Sequence, residues 1–206
     1  DLRLGASALM QGLADGYFVL PYTIGDFLAG KIQVPKTDVK HPAFDEAEKA
    51  VKDKITKLFS IKGSQPVDYF HKKLGHLMWD YVGMARNEAG LKKAIEEIKK
   101  LKEEFWKNVF VPGENAEFNQ EVEKALRVSD FLELGELMAM DALNRNESCG
   151  GHFREEMQTE DGETKRDDQN YMYVSAWEYK NNENPVLHKE PLNYEFVKIA
   201  TRNYKD

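Results

Sequence analysis

The sequence predicts a mainly α protein: an antiparallel three-helix bundle with an apolar helix before it and a loop with short β-strands after it. Three observations carry this expectation. Apolar residues recur at three- and four-residue spacing through most of the chain. The periodic stretches are separated by short breaks rich in glycine and proline, and short connections force antiparallel neighbours. Period-two alternation, the mark of a strand, occurs only late, in YMYVSAWEYK at 171–180.

Taken in order, Ser7 to Ala29 carries Leu9, Leu13, Tyr17, Leu20, Ile24, Phe27 and Leu28 at helical spacing, interrupted by Pro21, and reads as one kinked helix or two short ones. Its other face holds Met10, Ala14, Phe18 and Val19, so it is apolar nearly all round, a pattern suited to burial in a larger domain. Lys31 to Pro42, with two prolines, reads as a linker or irregular crossover. From Phe44 the chain becomes charged and helical, with Phe44, Ala47, Val51, Ile55, Leu58 and Phe59 on one stripe that Gly63 ends.

Pro66 opens the next helix, with Tyr69 or Phe70, Leu74, Leu77 or Met78, and Tyr81 on one side. Leu91, Ile95, Ile98, Leu101 or Lys102, Phe105 and Val109 follow at heptad-like positions with Lys and Glu between them. After Pro112 and Gly113, Phe118 to Asn144 repeats the pattern through Val122, Leu126, Phe131 or Leu132, Leu134, Met138 and Leu143. The polar stretch after Asn144 ends in the alternating strand, and a second strand near Glu195 to Ala200 is expected to pair with it, with NNENP as the loop between.

Composition narrows the function. The 206 residues, 41% hydrophobic and 32% charged, can bury one sizeable core or two small ones. A formal net charge of -7 argues against nucleic acid, whose phosphates need a basic surface. One cysteine, Cys149, excludes an internal disulfide framework and fits a reducing, cytoplasmic compartment. No stretch is long and apolar enough to insert into a membrane.

Few residues suggest chemistry. Gly5, Ala6, Ser7 and Ala8 carry almost no side-chain bulk at a helix start, where backbone N–H groups can approach an anionic or polar ligand. Such a loop normally follows a strand that aims it, so the sequence is expected to belong to something larger. Arg3, just ahead, offers a planar donor fork for a carboxylate; its plain alternative is a solvated arginine. His152 with Glu155 or Glu156 has the makings of an acid–base pair, set against a charge-paired structural loop. No second histidine stands at zinc-helix spacing, so no metal is expected, and His71 and His76 read as exposed helix residues. The lysines from Lys92 to Lys102 interleave with glutamates and read as a solvated helix face. Met138 and Met140 read as core fillers.

RLGASAL at 3–9, NRNESCGGHFREE at 144–156 and KRDDQNY at 165–171 together resemble the C-terminal part of the flavoprotein subunit of succinate dehydrogenase and fumarate reductase. The tail HKEPLNYEFVKIATRNYKD resembles that subunit's ending in Bacteroides-like bacteria. The resemblance spans essentially the whole chain. It implies that residues 1–40 are the end of an FAD-binding domain and a crossover, 41–147 a helical bundle domain, and 148–206 a loop and strand extension.

It also implies a substrate-binding role for Arg3, which matches an arginine that clamps a dicarboxylate, and contact of Ser7, Ala8 and Leu9 with the flavin of FAD. No residue of this chain inherits a catalytic role, because the family's nucleotide-binding glycine loop, flavin-linking histidine and proton-delivering arginine find no match here. The implied partners are an iron–sulfur subunit, a membrane anchor subunit and a dicarboxylate substrate, with the complex on the inner face of the cell membrane. Two departures stand out: Leu2 precedes Arg3 where the family has asparagine, and Cys149 puts a thiol where a guanidinium often sits. Alone, the chain is expected to be inactive, not to bind FAD, and to pair through its apolar first helix into a homodimer. A free-standing helical interaction module is the competing reading.

Overall fold

The structure, a computed structural model, describes residues 5–115, 117–180 and 184–200, with backbone only for 5–8. The elements in order are α1 (Gly5–Ala14), a π-helical turn (Asp15–Val19), α2 (Leu20–Ala29), α3 (Pro42–Ile61), β1 (Gln65–Pro66), α4 (Val67–Val82), α5 (Glu88–Asn108), β2 (Val109–Phe110), α6 (Gln120–Asn144), α7 (Asp168–Tyr171), β3 (Tyr173–Glu178) and β4 (Val186–Pro191). The protein is mainly α, as the periodicity predicts.

The first segment is two helices joined by the π turn, in which the Leu20 N–H reaches back five residues to the Asp15 carbonyl. Pro21 explains the interruption: without an N–H it cannot continue the regular ladder, and it sits where a helix start tolerates it. From Leu9 through Asp53 every side chain is exposed except Asp15, which is half-buried. A Cβ added at Gly12, Gly16 or Gly25 would meet nothing within 4 Å. Apolar as it is, this stretch packs on nothing substantial among the described residues.

Burial begins at the C-terminal end of α3. Leu58 is fully buried, and Ile55, Phe59 and Ile61 pack against the same core, whereas Phe44 and Val51 are exposed. The turn after α3 depends on Gly63, where a Cβ would lie 1.9 Å from the Asn108 carbonyl oxygen. That close approach lets the Gly63 N–H bond the Val109 carbonyl (3.1 Å) and β1 pair in parallel with β2. Ser64 donates both its N–H and its hydroxyl to Asn108 Oδ1.

Helices α4, α5 and α6 pack on one another around the core. Lys73 pairs with Glu104 (3.3 Å) and Lys93 lies over the Tyr81 ring, so α4 and α5 run oppositely. Lys102 to Glu133 (2.7 Å) and Lys99 to Glu136 (3.7 Å) set α5 against α6 in the same way. Lys124 and Asp68 bring the starts of α4 and α6 to one end. The α5 seam is Leu91, Ala94, Ile98, Leu101 and Phe105, a heptad-like spacing that keeps one face inward. Phe70 meets Phe105 edge-on with ring centroids 5.2 Å apart. Asn87 and Asn119 cap α5 and α6 through their side-chain oxygens.

In α6 the buried stripe differs from the expected one. Ala125, Gly135, Ala139 and Ala142 are buried with Val122, Val128 and Leu132, while Leu134 and Met138 are exposed and Met140 is half-buried. The reason is close approach: at Gly135 a Cβ would already be 3.2 Å from Met78 Sδ and 3.3 Å from Leu74 Cδ1. Large side chains on that line would hold the helices apart. Met138 is therefore not a core filler.

The strand expectation also needs one correction. β3 falls on the alternating stretch, with Tyr173, Ser175 and Trp177 inward. Its antiparallel partner is Val186–Pro191, in register from Tyr173↔Pro191 to Glu178↔Val186, and not 195–200, which forms no strand. The nearer segment wins because closing a short loop costs less chain entropy than closing a long one.

Candidate functional site

The motif-bearing loop after α6 folds back over the ends of α4 and α6. At its root Arg145 donates to Glu147 Oε1 (2.8 Å) and to the carbonyls of Tyr171 and Tyr173 (both 3.0 Å), so one guanidinium ties the loop to β3. Glu147 is buried, and its second oxygen accepts from the Asp167 N–H. Gly150, at φ +58°, makes the tight turn in which Cys149 and His152 exchange backbone hydrogen bonds. Buried Ser148 accepts the Arg154 N–H and donates to its carbonyl.

Arg154 is 2% exposed, and its Nη1 donates to the carbonyls of Ala142 (3.2 Å) and Leu143 (3.4 Å). A cation on the last carbonyls of α6 meets groups that have no intrahelical donor and the negative end of the helix dipole. Its Nε bonds Glu156, which also accepts the Glu88 N–H at the start of α5. Burial pushes the Glu156 carboxyl up, but that hydrogen bond and Arg154 outweigh it and hold it below its usual range. Asn87 donates to Glu155, and Arg86 exchanges backbone bonds with Phe153 and Glu155. Together these contacts clasp the α4–α5 turn to the end of α6.

His152 sits at the centre of this clasp. Its Nδ1 is 2.8 Å from Arg86 Nη1 and its Nε2 is 2.7 Å from the Arg145 carbonyl. A guanidinium only donates and a carbonyl only accepts, so the network assigns the neutral tautomer with the proton on Nε2. Burial lowers its pKa most, and the charges of Arg86, Arg154 and Arg145 lower it further against the upward pull of the Arg145 carbonyl. Glu155 and Glu156 are engaged elsewhere, so the structure does not bring together the acid–base pair that these residues suggested. The charge-paired structural loop is what the residues form. His71 and His76 are exposed on α4.

Beside His152 opens a cleft of about 660 Å³, lined by Met84, Arg86, Met138, Asp141, Arg145 and Cys149 among others. Trp177 Nε1 donates to Asp141 Oδ1 (2.8 Å), pinning the hairpin to α6 at its edge. Arg86 and Asp141 escaped the sequence reading because nothing near either residue signals a contact with positions 152 or 177, far along the chain.

Of the expected ligand-binding residues, Arg3 lies outside the described residues. Ser7 and Ala8 fall in the first turns of α1, and Leu9 is exposed on it. The cleft beside His152 and three others are lined by residues of α3 to α6, the adjoining loops and the β3–β4 hairpin, none by α1. Ser7, Ala8 and Leu9 line none of these four clefts. Among the described residues no group of three or more His, Cys, Asp or Glu side chains could hold a metal ion, and no helix is long and apolar enough to cross a membrane.

The mainly α unit that carries this loop belongs, by sequence, to a known class of protein module. The family described as fumarate reductase flavoprotein C-term matches residues 71–204, and the chain belongs to that family. It is 27% identical over 202 residues to the fumarate reductase flavoprotein subunit of Haemophilus influenzae, covering 98% of this chain and 32% of that protein. It is 30% identical to the Proteus vulgaris counterpart, covering 82% of this chain and 27% of that one. The Bacillus subtilis succinate dehydrogenase flavoprotein subunit is 28% identical over 74% of this chain and 25% of its own length. In fold the chain is similar to an Escherichia coli quinol fumarate reductase, with TM-score 0.70 at 20% identity over 82% of this chain and 28% of that one. The chain thus spans about a third or less of the length of these relatives.

Proposed function

We propose that this chain serves as the C-terminal part of a flavoprotein that interconverts succinate and fumarate. The observation that carries the reading is the match along almost the entire chain to flavoprotein subunits of fumarate reductase. In that reading FAD, held mainly by the rest of the subunit, supplies the hydride-carrying chemistry. Arg3 binds and orients a dicarboxylate through its guanidinium fork, and the backbone at Ser7, Ala8 and Leu9 lies against the flavin, where small neighbours admit it. Electrons leave to an iron–sulfur subunit, and a membrane anchor subunit holds the complex at the inner face of the cell membrane. The arginine clasp acts structurally, keeping α4, α5 and α6 in one arrangement.

The experiment is expression of the chain together with the coding sequence that precedes it, followed by assay of fumarate reduction and succinate oxidation. Activity is expected, and Arg3→Gln should remove most of it while leaving flavin content unchanged. An active enzyme that is indifferent to Arg3→Gln would exclude the substrate-clamping role.

A further inference from the structure

Four arginines gather where the loop meets the helices, and three have a carboxylate in contact: Arg145 with Glu147, Arg154 with Glu156 and Arg166 with Asp168. Arg86 is the exception, with no carboxylate oxygen within 4.0 Å among the described residues. Its Nε–H is shared by the carbonyls of Val82 (3.1 Å) and Gly83 (3.0 Å), and Nη1 is spent on His152. Its Nη2 meets no protein acceptor among the described residues. Asp141, on the lining of the same cleft, acts on it only at longer range, and its Oδ1 accepts from Trp177. Burial weighs more on this guanidinium than Asp141 relieves, so its charge is only partly compensated.

The rest of the cleft indicates what would compensate it. Met84 is 71% and Met138 54% exposed, two unbranched thioethers on the lining of the same cleft as the cation. Flexible methionines suit apolar side chains of varied shape, and a small free acid would leave them unused. We propose that this cleft docks a partner polypeptide through an aspartate or glutamate that bonds Arg86, with apolar neighbours packed on Met84 and Met138. The fourth carboxylate of the cluster then comes from the partner. Binding is charge-assisted at its centre and apolar at its flanks, the usual arrangement of a small anchor site.

The inference goes beyond the flavoprotein reading, and its failure would leave that reading intact, because the test involves no flavin and no turnover. The 206-residue chain, labelled at its methionine methyl groups, is titrated by NMR with acetyl-Leu-Glu-Leu-amide, acetyl-Leu-Gln-Leu-amide and succinate. The glutamate peptide should shift the Met84 and Met138 methyls saturably and bind at least about tenfold more tightly than the glutamine peptide. Arg86→Gln should erase that preference. Met84→Ser, at an exposed position that leaves the clasp intact, should weaken the glutamate peptide several-fold. Absence of saturable shifts, equal binding of the two peptides, or succinate binding as tightly as the glutamate peptide would overturn the proposal.

Discussion

His152 keeps its place in the clasp only while neutral, since a proton on Nδ1 would face the Arg86 guanidinium at 2.8 Å. Its pKa is depressed by burial first and by the surrounding arginines next, so the folded protein binds this proton less readily than the unfolded chain. The resulting stability is fully present above the unfolded value near 6.5 and is lost as the pH falls from there through the lower folded value. Urea unfolding of the wild type and His152→Gln across this range should show the wild type's advantage shrinking as the pH falls. A constant or growing advantage would mean that the imidazole is not held neutral. Arg154→Met, at another point of the clasp, strands the carbonyls of Ala142 and Leu143 and should cost roughly 1–3 kcal/mol for each one left without a donor, read in the same melts.

At the scale of elements, Ile98 and Lys99 are adjacent on α5 but face opposite environments. Ile98→Ala should cost about 2–5 kcal/mol in thermal or urea melts, because Ile98 is fully buried. Lys99→Ala loses a 3.7 Å pairing between a half-exposed lysine and the largely covered Glu136, which keeps Lys102 as a partner, and should cost about 0–1 kcal/mol. Equal losses would mean that the assigned α5 face is wrong. Gly63→Ala should be costly despite its small size, about 1–3 kcal/mol or more, since the added methyl meets Asn108 backbone that cannot swing aside.

These same elements show what a sequence can reveal. The α5 seam was legible at Leu91, Ile98, Leu101 and Phe105, large apolar residues at regular spacing, but it runs through Ala94 where Ile95 was expected, and Ile95 is only half-buried against the core. The α6 stripe was misread because its buried line runs through alanine and glycine, whose worth lies in letting helices approach and not in hydrophobicity. β3 was legible from alternation, but its partner depended on loop closure, which the pattern does not encode. At the site, the loop strings identified the family, whereas Arg86 and Asp141 joined it only through tertiary contacts.

For the whole molecule, residues 9–53 pose the main physical question. Leu9, Leu13, Phe18, Leu20 and Phe27 are each more than half exposed. Leaving such a side chain in water forfeits about 1.5–3 kcal/mol relative to burial. We infer that the isolated chain pairs through this segment, so light scattering should report a dimer for the full chain and a monomer for a version starting at His41. Monomers in both cases would rule the pairing out. The central claim, that this chain is the C-terminal part of a flavoprotein and completes its cofactor site only with the rest of the subunit, is tested by flavin absorbance after incubation with excess FAD and desalting. The account predicts a colourless 206-residue chain and a yellow protein when the preceding coding sequence is included; stoichiometric flavin on the 206-residue chain alone would contradict it.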